Sequence, residues 1–175
     1  MAFWNDKSLE PKRKHRWLMT ISDIPAFVIK TTSKPSFSIN ETEHNYFGHR
    51  FYYPGMVTWN EITLTLVDPI DPDVSRKVLN ILRRSGYVEP SEHDSNMLHT
   101  ISKEESVAAL GSIVKIKQVE HTGTGTDVLG TNVVVEEWEL YSPWIKEAKF
   151  GDLDYSDDGL VEIELTIRYD WAIIR

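Results

Sequence analysis

The chain near its end reads Gly159-Leu-Val-Glu-Ile-Glu-Leu-Thr-Ile-Arg-Tyr-Asp-Trp171. Apolar side chains occupy every second position and share one face: Val161, Ile163, Leu165, Ile167 and Tyr169. Polar, mostly acidic side chains occupy the other face: Glu162, Glu164, Thr166, Arg168 and Asp170. Because successive side chains of a strand point to opposite faces, this alternation predicts a strand with one buried and one solvated face. A chain that closes its core with such a strand is expected to be rich in β-structure.

Composition indicates one folded domain. The 175 residues suit a single domain with a sizeable core, and the 41% apolar content with six Trp, seven Tyr and six Phe argues against disorder. The chain has no cysteine, so it has neither disulfides nor thiolate chemistry. No apolar run approaches the roughly 18 residues of a membrane span, and the first twenty residues are too charged for a secretory signal peptide. We therefore expect a soluble protein made in the cytosol, with no membrane insertion.

The net charge of −8 is unevenly distributed along the chain. Residues 1–20 carry five basic and two acidic side chains, whereas residues 121–175 carry four basic and twelve acidic ones. A basic head and an acidic tail on one subunit favour head-to-tail contact between copies. The alternative is an amino-terminal arm that is simply solvated. Since charge runs usually are solvated, the sequence alone favours this second interpretation.

Several short strands and two helices are predicted. The strands are expected at 17–21 and 26–30, as a first hairpin around a turn at 22–25, and then at 36–40, 57–67, 112–120, 133–141 and 148–153. Asp71 as N-cap and Pro72 as first helical residue are expected to begin the main helix, which ends at Gly86. Ser102 and Glu105 have capping-box spacing and predict a shorter helix, which ends at Gly111.

The sequence contains no recognised motif for catalysis or metal binding. Four of the six histidines fall in predicted loops without a ligand spacing: His44, His49, His93 and His99. The segment 152–159 resembles a calcium loop, but Asp157 and Ile163 stand where an EF-hand needs glycine and glutamate, so a turn explains it better. The segment 123–125 is too short for a phosphate loop, and no nucleophile elbow is present. We expect no enzyme activity, no metal and no cofactor.

Two stretches are candidate contact surfaces. Residues 46–53 include five aromatic side chains outside any clean periodic element, and an exposed loop of this kind favours a partner. The sequence supports equally well a loop that folds back on its own core. The cluster Lys12-Arg-Lys-His-Arg16 could contact nucleic acid, but one short cluster in an acidic protein is weak support. Phe3 and Trp4 could anchor the arm on a neighbour, although a frayed terminus explains them better.

Four segments in a fixed order resemble one protein family. They are Gly55-Met-Val-Thr-Trp-Asn-Glu-Ile-Thr-Leu-Thr-Leu-Val-Asp68, Glu139-Leu-Tyr-Ser-Pro-Trp-Ile145, Gly151-Asp-Leu-Asp-Tyr155 and Val161-Glu-Ile-Glu-Leu-Thr-Ile-Arg-Tyr-Asp-Trp171. The first resembles a turn, a Trp and an alternating strand that lead to a helix. The others resemble a closing pattern of an aromatic-rich stretch, a short strand and a last strand. From about Lys14 to Trp171, the chain resembles the tail tube protein of contractile-tailed bacteriophages.

The resemblance implies a mainly β (α+β) fold. Two packed antiparallel sheets would form a sandwich or barrel with one flanking α-helix, in a single domain over 1–175, with an arm at 1–14 and a long hairpin excursion at 37–57. Six copies would form a ring, and rings would stack into a hollow tube that conducts DNA into the host cell. A sheath would surround the tube, and baseplate and tail terminator proteins would bound it. The location would be the virion tail, assembled in the host cytoplasm.

The resemblance also implies roles for particular residues. The hairpin excursion would contact the next ring through its aromatic and basic side chains: Tyr46, Phe47, His49, Arg50, Phe51, Tyr52 and Tyr53. The basic arm would add to stacking through Lys12, Arg13 and Lys14. An acidic lumen repels phosphate, so some of four acids are expected to face it: Glu137, Glu139, Glu162 and Glu164.

Other interpretations stay open from the sequence. A tube-initiating baseplate protein shares the tube fold, and related tubes occur in type VI secretion and in phage-derived bacteriocins. The segment 89–100 is longer than a minimal tube subunit needs and would decorate the outside of the tube. A small-ligand-binding β-barrel would have an enclosed apolar pocket and be monomeric. A hydrolase would need a convergent nucleophile and base, which the sequence does not offer.

Overall fold

The computed structural model describes residues 11–89, 100–120 and 133–175. In these residues the chain forms ten strands and two α-helices. The strands are β1 (Trp17–Thr20), β2 (Ile29–Thr32), β3 (Phe37–Tyr46), β4 (His49–Trp59), β5 (Ile62–Val67), β6 (Ile113–Glu120), β7 (Val133–Tyr141), β8 (Trp144–Lys149), β9 (Glu162–Arg168) and β10 (Trp171–Ile174). The helices are α1 (Val74–Arg84) and α2 (Lys103–Leu110). The prediction of a mainly β fold is confirmed.

Two four-stranded sheets form the body of the molecule. The first sheet has the order β1-β6-β7-β10, and the second sheet has the order β2-β5-β9-β8. Every neighbouring pair is antiparallel. The remaining strands, β3 and β4, pair only with each other and form a separate hairpin between β2 and β5 in the chain. The predicted pair of packed antiparallel sheets is therefore confirmed.

The hydrophobic core lies between the two sheets. The second sheet contributes alternate residues of β5 and β9, all at most 1% exposed: Ile62, Leu64, Leu66, Ile163, Leu165 and Ile167. The first sheet contributes Met19, Val114 and Leu140, which are equally buried. Full burial of one such side chain contributes about 1.5–3 kcal/mol, so this layer is the main stabilising feature of the fold. The alternation that predicted β9 is thus the inner face of a central strand.

The predicted first hairpin is wrong. β1 pairs with β6 in the first sheet, whereas β2 pairs with β5 in the second. The local turn exists only as an isolated bridge between Ile21 and Ile24, followed by one turn of 3-10 helix at Ala26–Val28. This segment therefore crosses from the first sheet to the second, and Ile21, Ile24 and Val28 are buried in the core along the way.

Three strand boundaries also differ from the predictions. The strand expected at 57–67 is two strands, since Asn60 leaves the ladder and donates its N–H to the Ser36 carbonyl at 2.8 Å. The last strand ends at Arg168, and after a corner at Tyr169 and Asp170 the chain enters the first sheet as β10. The short strand expected at 148–153 is β8, which begins and ends earlier. Alternation continues across each break because both neighbouring segments are extended.

Two helices flank the sandwich, rather than the one that the resemblance implied. The N-cap of α1 is Asp73, which accepts from the Arg76 N–H at 2.8 Å, and not Asp71 as expected. Asp68 is a second capping residue, and it accepts from the Val74 N–H at 2.9 Å. The cap of α2 is as predicted, with Ser102 accepting from the Glu105 N–H at 3.1 Å. The two helices contact each other, and α2 also contacts β8.

Candidate functional site

The stretch at 46–53 is the tip of a regular hairpin, so the interpretation of an irregular loop is wrong. β3 and β4 are paired from Phe37 opposite Trp59 to Tyr46 opposite His49, with one register shift between Ile39 and Glu41. The two residues of the turn, Phe47 and Gly48, have φ of +47° and +77°. Positive φ at both central positions is typical of the two-residue turns that suit a twisted hairpin. The local sequence pattern does not predict this turn because Phe-Gly is not one of the usual turn pairs, whereas the resemblance implied a hairpin excursion at 37–57.

The hairpin is exposed along its length. All residues of β3 and all of β4 except Trp59 are exposed. Its exposed large apolar side chains are Phe37, Ile39, Tyr46, Phe47, Phe51, Tyr52, Tyr53, Met56 and Val57. An apolar surface of this size is characteristic of an interaction site, and an isolated two-stranded ribbon is only marginally stable in water.

The two faces of the hairpin differ. Tyr46, Phe51 and Tyr53 share one face, whereas Tyr52 shares the other with the Glu43–Arg50 pair, whose Oε1 and Nε atoms are 3.5 Å apart. The second face continues into the body at its base. There Trp59 contacts Phe37 edge-on with a centroid distance of 5.5 Å, and lies 6.1 Å from the ring of Tyr169. In the described part of the chain, no element covers the face that carries Tyr46, Phe51 and Tyr53, and we call it the open face.

The four candidate lumen acids lie on opposite sides of the molecule. Glu137 and Glu139 alternate with the buried Leu140 on β7, so they are on the outer face of the first sheet. Glu162 and Glu164 alternate with buried residues of β9, so they are on the outer face of the second sheet. A single channel wall can therefore contain only one of these two pairs.

Glu137 and Glu139 belong to an ion-pair cluster. Lys115 Nζ lies 2.8 Å from an oxygen of each carboxylate. Glu139, which is only 5% exposed, also accepts from the Tyr141 hydroxyl at 2.9 Å and from Arg175 Nε at 3.0 Å. The Lys115 hydrogen bond, followed by that of Tyr141, lowers the pKa of Glu139 to about 2. The outer face of the first sheet is thus locally neutralised.

The outer face of the second sheet is a mixture of hydroxyls and ion pairs. Glu162 pairs with Lys30 of β2, and Glu164 lies 3.7 Å from Lys149 of β8. Thr31 and Thr65 are joined by a hydrogen bond of 2.9 Å between their hydroxyl oxygens. The mostly acidic face expected from β9 alone is therefore balanced by bases on other strands, which no single-strand pattern reveals.

The basic residues near the start of the chain are attached to the sandwich. Lys12 and Lys34 both donate to the carboxylate of Glu136, the latter at 2.6 Å, and Trp138 Nε1 donates to it at 2.5 Å. The Arg13 carbonyl accepts from Gln118 Nε2 at 3.1 Å. Burial would raise the pKa of the Glu136 carboxyl, but the hydrogen bonds from Lys12, Lys34 and Trp138 lower it to about 2.

These contacts form one wall of an open cleft of about 750 Å³ between the edge strands β1 and β2. Five basic side chains border it: Lys12, Lys14, His15, Lys30 and Lys34. Its apolar lining is Trp17, Ile116 and Trp138. We call this feature the basic cleft. Sequence reasoning found only its first segment, because the other members come from β2, β6 and β7 and no local pattern links them.

The described residues contain no group of three His, Cys, Asp or Glu side chains that could hold a metal ion. His93, His99, most of the segment 89–100 and the glycines at 123–125 lie outside the described residues. The calcium-like segment forms side-chain turns, with Asp154 accepting from the Ser156 N–H and Asp157 from the Gly159 N–H, both at 2.9 Å. Within the described part of the chain, neither helix has the length and apolarity to cross a membrane.

Comparison with solved structures gives full-length matches to the fold. A chain of the cryo-EM structure of the anti-feeding prophage baseplate matches with a TM-score of 0.65 at 16% identity, over 95% of this chain and 96% of that one. A chain of the anti-feeding prophage tube-terminating cap matches with a TM-score of 0.64 at 16% identity, over 100% and 99%. A chain of the PVC sheath–tube complex, from an extracellular contractile injection system, matches with a TM-score of 0.58 at 15% identity, over 94% and 91%.

No protein-family model matches the sequence, and no curated protein matches it. The structural matches therefore show the fold, which this chain shares with components of contractile injection systems. The expected likeness to a tail tube protein is confirmed at that level.

Proposed function

We propose that this chain is a non-enzymatic structural subunit of the tube of a contractile phage tail or a related contractile injection system. Six copies form a ring, and the rings stack into a hollow conduit. The observation that carries the proposal is the exposed hairpin Phe37–Trp59, which projects from a sandwich whose fold matches such components over almost its full length. Soluble monomers rarely expose an apolar surface of this extent to water.

Ring closure uses the free sheet edges. β2 and β8 border the second sheet on opposite sides, and neither has a further strand paired to it in the described residues. Unpaired edges of this kind favour pairing with another chain. When the edge of one copy joins the opposite edge of the next, the contact is head-to-tail, and a suitable rotation closes it into a ring.

Ring stacking uses the hairpin. Tyr46, Phe51 and Tyr53 on its open face bury against the adjacent ring, and His49 and Arg50 near the tip add polar contacts. Aromatic side chains and arginine are the residue types most enriched at the energetic centres of protein interfaces. Lys12, Arg13 and Lys14 lie near the body of the subunit and serve the lateral contact more readily than the axial one.

The second sheet supplies the wall of the lumen, because two of its strands, β2 and β5, come directly before and after the stacking hairpin in the chain. Glu162 and Glu164 then face the cargo, and Glu137 and Glu139 face outward to a surrounding sheath. The lumen wall carries hydroxyls and balanced ion pairs instead of a basic stripe. A wall without net positive charge does not hold phosphates, and this permits DNA to pass without binding.

A second candidate role is a ring at the end of the tube, in the cap or the baseplate. It is favoured by the matches to chains of the anti-feeding prophage baseplate and cap, whose TM-scores of 0.65 and 0.64 exceed the 0.58 of the sheath–tube complex. The partners in this role are the baseplate, the tail terminator and the first ring of the tube. A single ring that does not extend is the expected assembly.

Electron microscopy of the purified protein tests the proposal and separates the two roles. Hollow tubes of six-fold symmetry indicate a tube subunit, and isolated six-fold rings indicate a terminal component. A monomer that stays monomeric at high concentration and also in the presence of preformed tube or baseplate contradicts both. Density for the second sheet on the outer wall would contradict the assignment of the lumen.

A further inference from the structure

A surface loop of this chain has the opposite chemical character to the basic cleft. The connection between β8 and β9 carries four aspartates, Asp152, Asp154, Asp157 and Asp158, and we call residues 152–160 the acidic loop. In the described residues none of these four carboxylates forms an ion pair with a lysine or arginine. The other acids on the sheets behave differently, since Glu136, Glu139 and Glu162 are each paired with a base.

The acidic loop is also apolar at its tip. Leu153 is 88% exposed and Tyr155 is fully exposed, with Leu160 exposed nearby. Large apolar side chains that stand free among aspartates indicate a surface that is covered in an assembly. The loop is nevertheless ordered by its own turns, because Asp154 and Asp157 each accept a backbone N–H two residues further on.

The sheet topology places the acidic loop and the basic cleft on opposite edges of the same sheet. The loop joins β8 to β9 and so lies at the β8 edge, whereas the cleft opens beside β2. The cleft runs along β2 and past its end, from Lys30 to Lys34, and the loop lies at the end of the sheet where β2 begins. Glu162, the first residue of β9, is opposite Val67 of β5. The residue before Val67, Leu66, is opposite Ile29 at the start of β2.

We infer that the acidic loop of one subunit inserts into the basic cleft of a second copy of this chain. The aspartates meet Lys14, His15 and Lys30, and Leu153 and Tyr155 pack against the apolar lining of Trp17 and Trp138. The contact is heterologous, because each copy donates a loop on one side and accepts one on the other. It rests on the proposed ring of subunits and assigns the residues that fix the order and direction of neighbours in that ring.

Charge complementarity is the physical reason for this pairing over others. The loop has four unpaired carboxylates, whereas in the cleft four lysines and a histidine outnumber the lining carboxylate Glu136, with which Lys12 and Lys34 are paired. The loop and the cleft therefore attract one another and disfavour cleft-to-cleft or loop-to-loop contact. The apolar side chains supply the area that leaves water. Because exposed charges are screened by salt, the contact weakens as ionic strength rises.

A pair of charge-reversed variants tests the inference. The loop variant is Asp152→Lys with Asp158→Lys, which leaves the turn-forming Asp154 and Asp157 intact. The cleft variant is Lys14→Glu with His15→Glu, which leaves the Glu136 contacts intact. Each variant alone is expected to lose ring and tube formation, because its loop or its cleft becomes neutral overall and the attraction between loop and cleft is lost. An equimolar mixture is expected to regain assembly in an alternating ring, since the introduced lysines then face the introduced glutamates and the unchanged loop faces the unchanged cleft.

The readouts are sedimentation velocity and electron microscopy, with circular dichroism to establish that both variants fold. The control reverses two exposed acids elsewhere, Asp71→Lys with Glu104→Lys, and is expected to assemble like the unchanged chain. If the unchanged chain assembles and either folded variant alone assembles equally well, the loop–cleft contact is overturned and the proposed function stands. The same holds if the folded mixture fails to assemble. If the unchanged chain never assembles, with or without a preformed end, both fall together.

Discussion

Lys34 Nζ lies 2.6 Å from Glu136 Oε1, and this contact joins the two sheets of the sandwich. Lys34 follows β2 of the second sheet, whereas Glu136 is on β7 of the first sheet and is only 7% exposed. A carboxylate at this depth must be compensated, and Lys12, Lys34 and Trp138 do so together. The pair therefore closes the open side of the sandwich beside the basic cleft.

Replacement of Glu136 by glutamine is expected to lower the free energy of unfolding by about 1–3 kcal/mol, because the donors of two lysines and a tryptophan lose their charged acceptor. Urea unfolding followed by tryptophan fluorescence measures the change. Glu147→Gln is the matched control, since the Glu147 carboxylate is largely exposed and its contact with Lys149 at 3.8 Å contributes little. Equal stability of the two variants would contradict this account of Glu136.

Acid is expected to destabilise the fold through Glu136 and Glu139. The folded-state pKa of each is lowered to about 2, below the usual value for glutamate, so both bind protons more readily in the unfolded chain. Their stabilisation is fully present above the unfolded pKa and is lost as the pH falls from about 5 to about 2. Thermal unfolding across this range measures the loss, and the double variant Glu136→Gln, Glu139→Gln should show a flatter pH dependence than the unchanged chain.

Changes on the open face of the hairpin are expected to separate assembly from folding. Phe51→Ser with Tyr53→Ser should abolish ring stacking but change the free energy of unfolding by less than about 0.5 kcal/mol, because both side chains are exposed in the single chain. Tube length by electron microscopy and chemical unfolding are the two measurements. Ile70→Ser, also at an exposed apolar residue, is the control and should leave the tubes intact. Long tubes from the hairpin variant would sink the stacking role.

The central strand β9 is expected to be sensitive on one face only. Leu165→Ala should cost about 2–5 kcal/mol, since Leu165 is fully buried opposite Leu64 and the cavity cannot close completely. Thr166→Ala, one position along on the outer face, should cost much less. Chemical unfolding of the two variants decides whether the alternation carries this energetic difference.

Gly151 is expected to be necessary for the path of the acidic loop. Its φ is +79°, and a Cβ there would lie 2.5 Å from the carbonyl oxygen of Glu162. Gly151→Ala should therefore destabilise the fold by about 1–3 kcal/mol and displace the loop. Gly48→Ala is the control, because Gly48 has a similar φ of +77° but open space around it. Thermal unfolding should show the larger loss for Gly151.

Patterns of single elements could be predicted from the sequence. The alternation of β9 and the helix start at Ser102 depend only on neighbours in the chain, and both are confirmed. The split between β4 and β5 could not be predicted, because the alternation continues through the turn at Asn60. The separation of β1 from β2 could not be predicted either, because it depends on the core. Burial of Ile21 and Val28 at the crossover stabilises the fold more than a local hairpin turn would.

The candidate surfaces show the same limit. The aromatic residues of the hairpin were found from composition alone, but their division between two faces follows from the register of β3 and β4. The pairing of Glu139 with Lys115 and Arg175 joins β7 to β6 and to residue 175, which are far apart in the chain. The basic cleft depends on Lys34 and Trp138 meeting at Glu136, and pair contacts of this range leave no periodic trace.

The two-residue corner between β9 and β10 has a mechanical consequence. Tyr169 and Asp170 link the second sheet to the first by a path as short as the Ser142–Pro143 link between β7 and β8, and Lys103 Nζ lies 2.6 Å from Asp170 Oδ2. On the other side of the sandwich, the Lys34–Glu136 contact bridges the same gap of about 10 Å between sheets. A load that shears one sheet past the other must stretch the backbone at one side and break the half-buried Lys34–Glu136 ion pair at the opposite side. The two layers therefore deform together, which gives a thin wall the rigidity of its full thickness.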